Sequence, residues 1–173
     1  MKLKLLTIAF AVSLSLAGSG CSKQPEHTYK ASVQTALVQA DLKDVSVSED
    51  DDKNTITLTG TLHSEDAKQQ AADAAASSAG NRIVVNEISV QPVGLESEAK
   101  TAASNLDNGI ENNYRAALAA KGLDKEPIRF DAKNGVLILK GKVKSPAHRK
   151  EAEQLAQAVP NVQQVLNQID ESR

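Results

Sequence analysis

Moved along itself by 81 positions, this chain of 173 residues superposes on its own second half without a gap. Ala36-Leu37 falls on Ala117-Leu118, Gly60 on Gly141, Ser64 on Ser145, and Val84, Asn86 and Ile88 on Val165, Asn167 and Ile169. Twelve positions between residues 33 and 88 are identical to their counterparts, among them Asp50 and Asp131. A period of that length means two copies of one structural unit of about 60 residues. A unit so short is marginally stable. Aromatic residues are 2% of the chain, and much of the apolar content is alanine, so each core is expected to be thin, with helices lying close to what they cover.

Both copies show the same local pattern. Val33, Ala36, Leu37 and Ala40 in one, and Ile110, Tyr114, Ala117 and Leu118 in the other, have the spacing of a helix with one apolar stripe. A short strand follows, near Val45–Val47 and near Ile128–Phe130. A turn comes next, "EDDDKN" or "DAKNG", rich in the residues that turns favour. The next strand alternates: Ile56, Leu58, Gly60 and Leu62 share one face, as do Leu137, Leu139, Gly141 and Val143. Ser64 and Ser145 are N-cap residues, with Pro146 at the first position of the second helix. Ala71, Ala74 and Ala75, and Ala152, Leu155, Ala156 and Val159, line those helices, and a last strand closes each unit. The fold class expected is α+β: two tandem αββαβ units, each a small mixed sheet with two helices on one face. Gly60 and Gly141 lie on the face the helices cover. Glycine inside a strand points to a close backbone approach or a bulge, and an alanine-lined helix packed on the sheet is the expected reason.

The N-terminus has the layout of an export signal: Lys2 and Lys4, then an apolar run from Leu5 to Leu16, too short for a comfortable membrane span. "AGSGCS" follows, with the chain's single cysteine at Cys21. One cysteine excludes an internal disulfide and a thiol-rich metal site. The stretch resembles a bacterial lipobox, with Gly18 where Leu is usual. Two readings stand: lipidation of Cys21, or a soluble export signal cut near Ser19 or Gly20. The expected organisation is a signal over 1–20, Cys21 and a polar tether over 21–28, a first unit over 29–92, a linker over 93–109 and a second unit over 110–173. Ala99, Ala102, Ala103 and Leu106 have helical spacing, so the second unit's first helix is expected to run back into the linker, with Gly109 as a weak point.

"ITLTGTLHSEDAKQQAADAA" and "LILKGKVKSPAHRKEAEQLA", each followed by "VVNEI" or "VLNQI", resemble the BON domain of bacterial envelope proteins. "VPNVQQV" also fits, with Asn161 where Gly is common. The resemblance covers roughly 33–90 and 114–170. It implies a protein of the cell envelope or periplasm, lipid-anchored to the outer membrane, that contacts phospholipid and supports envelope integrity, as in osmotically induced members. It implies no catalytic activity and no cofactor. The alternative is a soluble periplasmic stress protein acting through protein–protein binding.

The copies differ in charge. Residues 29–92 hold five Lys and Arg against ten Asp and Glu; residues 110–173 hold eleven against eight. The outward face of the alternating strand is Thr55, Thr57, Thr59, Thr61 and His63 in the first copy, a solvated face of β-favouring residues. In the second it is Val136, Ile138, Lys140, Lys142 and Lys144, with Arg149 and Lys150 in the following helix. These lysines either guard an exposed strand from pairing or, with Arg149 and Lys150, form a candidate surface for an anionic phospholipid leaflet, where each cation contributes about 1 kcal/mol. Val136 and Ile138 then sit at the lipid or pack on the first copy. Asp50, Asp52 and Asn54 mimic calcium-loop spacing, but the sixth place lacks Gly and Thr61 stands where a bidentate Glu belongs; the stretch reads as a turn. His27, His63 and His148 are scattered, and no nucleophile elbow, phosphate loop or zinc spacing occurs. Nucleic-acid binding would need stacking aromatics, and the second copy offers only Tyr114 and Phe130, both expected in the core.

Overall fold

The computed structural model describes residues 28–171. The first unit runs α1 (Tyr29–Gln39), β1 (Ser46–Asp50), β2 (Thr55–Thr59), β3 (Thr61–Leu62), α2 (Glu65–Ser78), β4 (Ile83–Asn86) and β5 (Ser89–Val90). The second runs α3 (Glu96–Ala120), a single 3-10 turn (Leu123–Lys125), β6 (Ile128–Lys133), β7 (Val136–Val143), α4 (Pro146–Gln157) and β8 (Gln164–Glu171). Each main sheet is mixed: β2 lies between antiparallel β1 and parallel β4, and β7 between antiparallel β6 and parallel β8. In both units the two helices pack together over one face of the sheet. This is the expected α+β architecture, twice.

Ser64 and Ser145 cap α2 and α4 by accepting from the backbone N–H groups of Ala67 and His148. The first core joins Val33 and Leu37 of α1 to Ile56 and Leu58 of β2 and Ala71 and Ala75 of α2. The second replaces Val33 with Tyr114, fully buried, whose hydroxyl donates to the carbonyl of Ala152 at 3.1 Å and whose ring meets Phe130 edge-on. Burial holds the Tyr114 phenol well above its ordinary pKa.

The asparagine of "VVNEI" and "VLNQI" has a specific task. Asn86 accepts from the N–H of Ile88 and donates to the carbonyl of Lys68 on α2. Asn167 accepts from Ile169 and donates to Glu153 on α4. One side chain thus satisfies an edge amide and ties the last strand to its helix. Gly80 and Asn161, one period apart, both have positive φ, +62° and +68°. That left-handed turn explains why asparagine can stand in the second copy where glycine stands in the first.

Three expectations need correction. The strand glycines are not explained by the helices. Gly60 and Gly141 have φ of +140° and +122°, and a Cβ would lie 2.5 Å from the carbonyl oxygen of Asp44 and 2.0 Å from that of Pro127. The close neighbour is therefore the backbone entering the sheet's own first strand. The repeat is also not gapless in space. Asp44 and Pro127 are 83 positions apart, and Thr59 pairs with Ser46 where Lys140 pairs with Arg129. The second copy gains two residues at its 3-10 turn and loses two at the hairpin, where Asn134-Gly135, both at positive φ, make a two-residue turn. Asp50 and Asp131 match in sequence but not in position: Asp50 faces Thr55, and Asp131 faces Ile138. Finally, the threonine face of the first copy is not wholly solvated, since Thr55 is 3% exposed.

The stretch 93–109 is helical from Glu96, continuous with the rest of α3. Gly109 sits inside that helix with nothing within 4 Å of where a Cβ would be. It costs the helix about 1 kcal/mol relative to alanine. Two residues earlier, Asp107 accepts from both turn amides, Asn134 at 2.9 Å and Gly135 at 3.0 Å. Glu111 accepts from the N–H of Ala132 on the β6 edge. The helical connection therefore fastens the second hairpin.

Candidate functional site

The two units meet along a seam. Val85 of β4 packs with Val136 of β7 and Leu166 of β8, all buried, with Ile138 alongside. Val136 and Ile138 therefore pack on the first copy, and the alternative of a lipid contact for them is closed. Polar contacts register the seam. The amides of Ile83 and Glu87 bond to the carbonyls of Asn54 and Leu58, so the backbone groups of Val84 and Asn86 point away from β2. Gln164 meets both: its amide donates to the Val84 carbonyl at 2.7 Å and accepts from the Asn86 N–H at 3.3 Å. One glutamine side chain closes the open edge of the first sheet. Asn134 donates to the Glu87 carbonyl, and Lys133 pairs with the Glu87 carboxylate at 2.8 Å. Lys68 of α2, 7% exposed, reaches the Asn134 carbonyl and Gln163 at 3.4 and 3.5 Å.

At one end of this seam a groove of about 680 Å³ opens. The open face of the second sheet forms its wall. Arg129, Lys140 and Gln168 lie in one row across β6, β7 and β8, and Lys142 faces Asp170 two residues on. Pro127, Ile128 and Gly141 also line it, and Lys53 reaches it from the first unit's β1–β2 turn. Lys53 is anchored there by Asp50, to which its ammonium bonds at 2.5 Å and its backbone N–H at 3.0 Å. That bond holds the Asp50 carboxyl below its usual pKa. The acidic "EDDDKN" turn thus serves as a mount for a lysine.

The five cations singled out from the sequence divide. Lys140 and Lys142 are exposed in the groove. Lys144 is exposed too, but stands 3.7 Å from Glu126, a buried carboxylate that also meets His148 at 3.2 Å. Arg149 and Lys150 are exposed on α4, the helix that covers the opposite face of the sheet. The structure therefore does not gather all five into one surface. Cys21 and the apolar run before it lie outside the described residues. Sequence reasoning missed Arg129 and Lys53. Arg129 was legible: the Asn-Gly hairpin fixes the β6–β7 register, and counting back from the turn puts Arg129 opposite Lys140. Lys53 was not, because its place depends on how the units dock. Among the described residues no cluster of three or more His, Cys, Asp or Glu is arranged to hold a metal, and no helix is long and apolar enough to cross a membrane.

Residues 26–92 and 106–172 each match the family model of the BON domain. The osmotically-inducible protein Y of Escherichia coli strain K12 is 28% identical over 141 residues, spanning 80% of this chain and 69% of that protein. Two solved structures of CdsD, a structural protein of the type III secretion system of Chlamydia trachomatis, are 13% identical and cover 86% and 85% of this chain. The chain spans 67% and 63% of theirs, and TM-scores of 0.33 and 0.31 are too low for that likeness to carry an argument.

Proposed function

The chain belongs to the BON domain family, and from that premise we propose that it is a non-enzymatic protein of the bacterial cell envelope that contacts anionic phospholipid. The similarity to an osmotically inducible protein supports a role in osmotic stress. The observation that carries the lipid reading is the open face of the second sheet. Arg129, Lys140 and Lys142 are exposed on neighbouring strand positions, and none forms an ion pair among the described residues. Cations held on a stiff sheet and left unneutralised suit a negatively charged leaflet, at about 1 kcal/mol each.

Vesicle cosedimentation tests this. The chain without an acyl group is expected to pellet with vesicles containing phosphatidylglycerol and not with neutral ones. Binding should weaken as salt rises, since the screening length is about 8 Å at physiological ionic strength. Lys140→Gln, Lys142→Gln and Lys144→Gln together should remove most of the binding and leave the melting temperature within a degree or two. If the triple variant pellets like the parent, the lysines only guard the strand. If Arg149→Gln with Lys150→Gln abolishes binding instead, the helix-covered side is the contact.

The lipid anchor at Cys21 is part of the same proposal, supported by the small residues that precede the one cysteine. Cells fed a labelled fatty acid should incorporate it into the protein, and Cys21→Ala should abolish the label. Label that persists in the variant removes the anchor from the proposal.

A further inference from the structure

Comparison of the two units shows a cost that only one of them bears. In the first, the structural counterpart of the Arg129–Lys140 pair is Ser46–Thr59, and that of Lys142–Asp170 is Thr61–Ser89. Neutral residues in those places have no like-charge problem. In the second, Arg129 and Lys140 stand directly opposite each other, and Lys142 follows on the same face. Like charges directly opposite on a sheet are destabilising. A further ammonium, Lys53, arrives from the other unit. Four cations line the groove and Asp170 is the one carboxylate among its lining residues; Lys53 brings its partner Asp50 to the rim, and the other three form no ion pair among the described residues.

We propose that this groove is a composite site for a phosphate group, in which Arg129, Lys140 and Lys142 of the second unit and Lys53 of the first act together. The inference rests on the anionic-lipid reading above and narrows it from a charged face to one open groove. A carboxylate can be satisfied by one forked guanidinium. Several cations lining one groove from two units match instead a tetrahedral oxyanion that accepts from several directions. The volume is too large for the phosphate alone. Pro127, Ile128 and Gly141 give the remainder a carbon-rich lining, and the glycine leaves it without a side chain. The fitting ligand is a phosphate ester carrying a short carbon group, such as a glycerophosphate head group. Lys53 makes the site a product of the docked pair of units.

The test is a titration of the whole chain followed by NMR chemical shifts, with inorganic phosphate in one arm and sn-glycerol 1-phosphate in the other. Saturable shifts are expected at Lys53, Arg129, Lys140 and Lys142. Lys53→Gln and Arg129→Gln should each weaken binding by about tenfold, the loss of one charge-assisted hydrogen bond. Lys144→Gln should change little. Tighter binding of the ester than of phosphate supports a head group as the natural ligand; equal binding supports the phosphate site with free phosphate as its source. If neither compound gives saturable shifts while vesicle binding persists, the pocket is refuted and the membrane contact stands as a diffuse one. If neither the soluble compounds nor the vesicles bind, both proposals fall. If binding is saturable but indifferent to Lys53→Gln, the composite character is wrong.

Discussion

Gly141→Ala should lower the melting temperature of the chain almost as far as Gly141→Val does. The reason lies in the first carbon of any side chain. A Cβ at residue 141 would sit 2.0 Å from the Pro127 carbonyl oxygen, and the backbone there has φ +122°. Neither problem depends on what lies beyond the Cβ. Residues forced into sparsely populated backbone regions cost about 1–3 kcal/mol, and relieving the contact requires the start of β6 to move. A loss on the order of 3 kcal/mol is expected, which for a chain of this size is roughly 6–12 °C. If the glycine were there to admit α4, alanine would be tolerated and only valine would be costly. Thermal unfolding of the two variants separates these accounts, and a near-silent Gly141→Ala would reject the carbonyl contact. Gly109→Ala is the natural control, since it meets nothing within 4 Å.

That glycine shows where reading the sequence succeeds and where it stops. Alternation placed Leu137 and Leu139 against the helices and Lys140 and Lys142 on the other face, because a strand's side chains have a period of two whatever surrounds them. The helix caps at Ser64 and Ser145 were equally legible, being local. Alternation also assigned Gly141 to a face, but a residue without a side chain does not report which neighbour excludes one. The backbone answered that through the strand entering at Pro127. The gapless repeat misled for a related reason. Two extra residues at the 3-10 turn and two fewer at the hairpin cancel in the count, so the sequence keeps one offset while β6 slides by two. The lysines at 140 and 142 were found as a pattern on one strand. Their companions come from a neighbouring strand and from the other unit, and the second of these needs the docking of Val85 on Val136 and Leu166 to be known first.

Val85→Asp should uncouple the two units while leaving each one folded. Val85 is fully buried, but its contacts belong to the seam; Val84 is the residue of β4 that packs on the first core. A carboxylate at 85 would face Val136 and Leu166 with no cation among its packing neighbours. Burying it unpaired costs several kcal/mol, and the substitution also removes the share of the seam that Val85 itself contributes, about 1.5–3 kcal/mol. Opening the seam is then the cheaper outcome. The parent chain should unfold in one cooperative transition, and Val85→Asp in two, the first destabilised by about 3–5 kcal/mol. The Gln164 amide would lose Val84 and Asn86, which fast hydrogen exchange at Asn86 would report. The same variant bears on the groove. Lys53 is carried by the first unit, so separating the units should weaken phosphate binding at least as much as Lys53→Gln does. The second sheet keeps its cations, so vesicle binding should largely survive. One cooperative transition in Val85→Asp, with the Asn86 amide still protected, would mean that the seam does not hold the units together and that the polar clamps alone suffice.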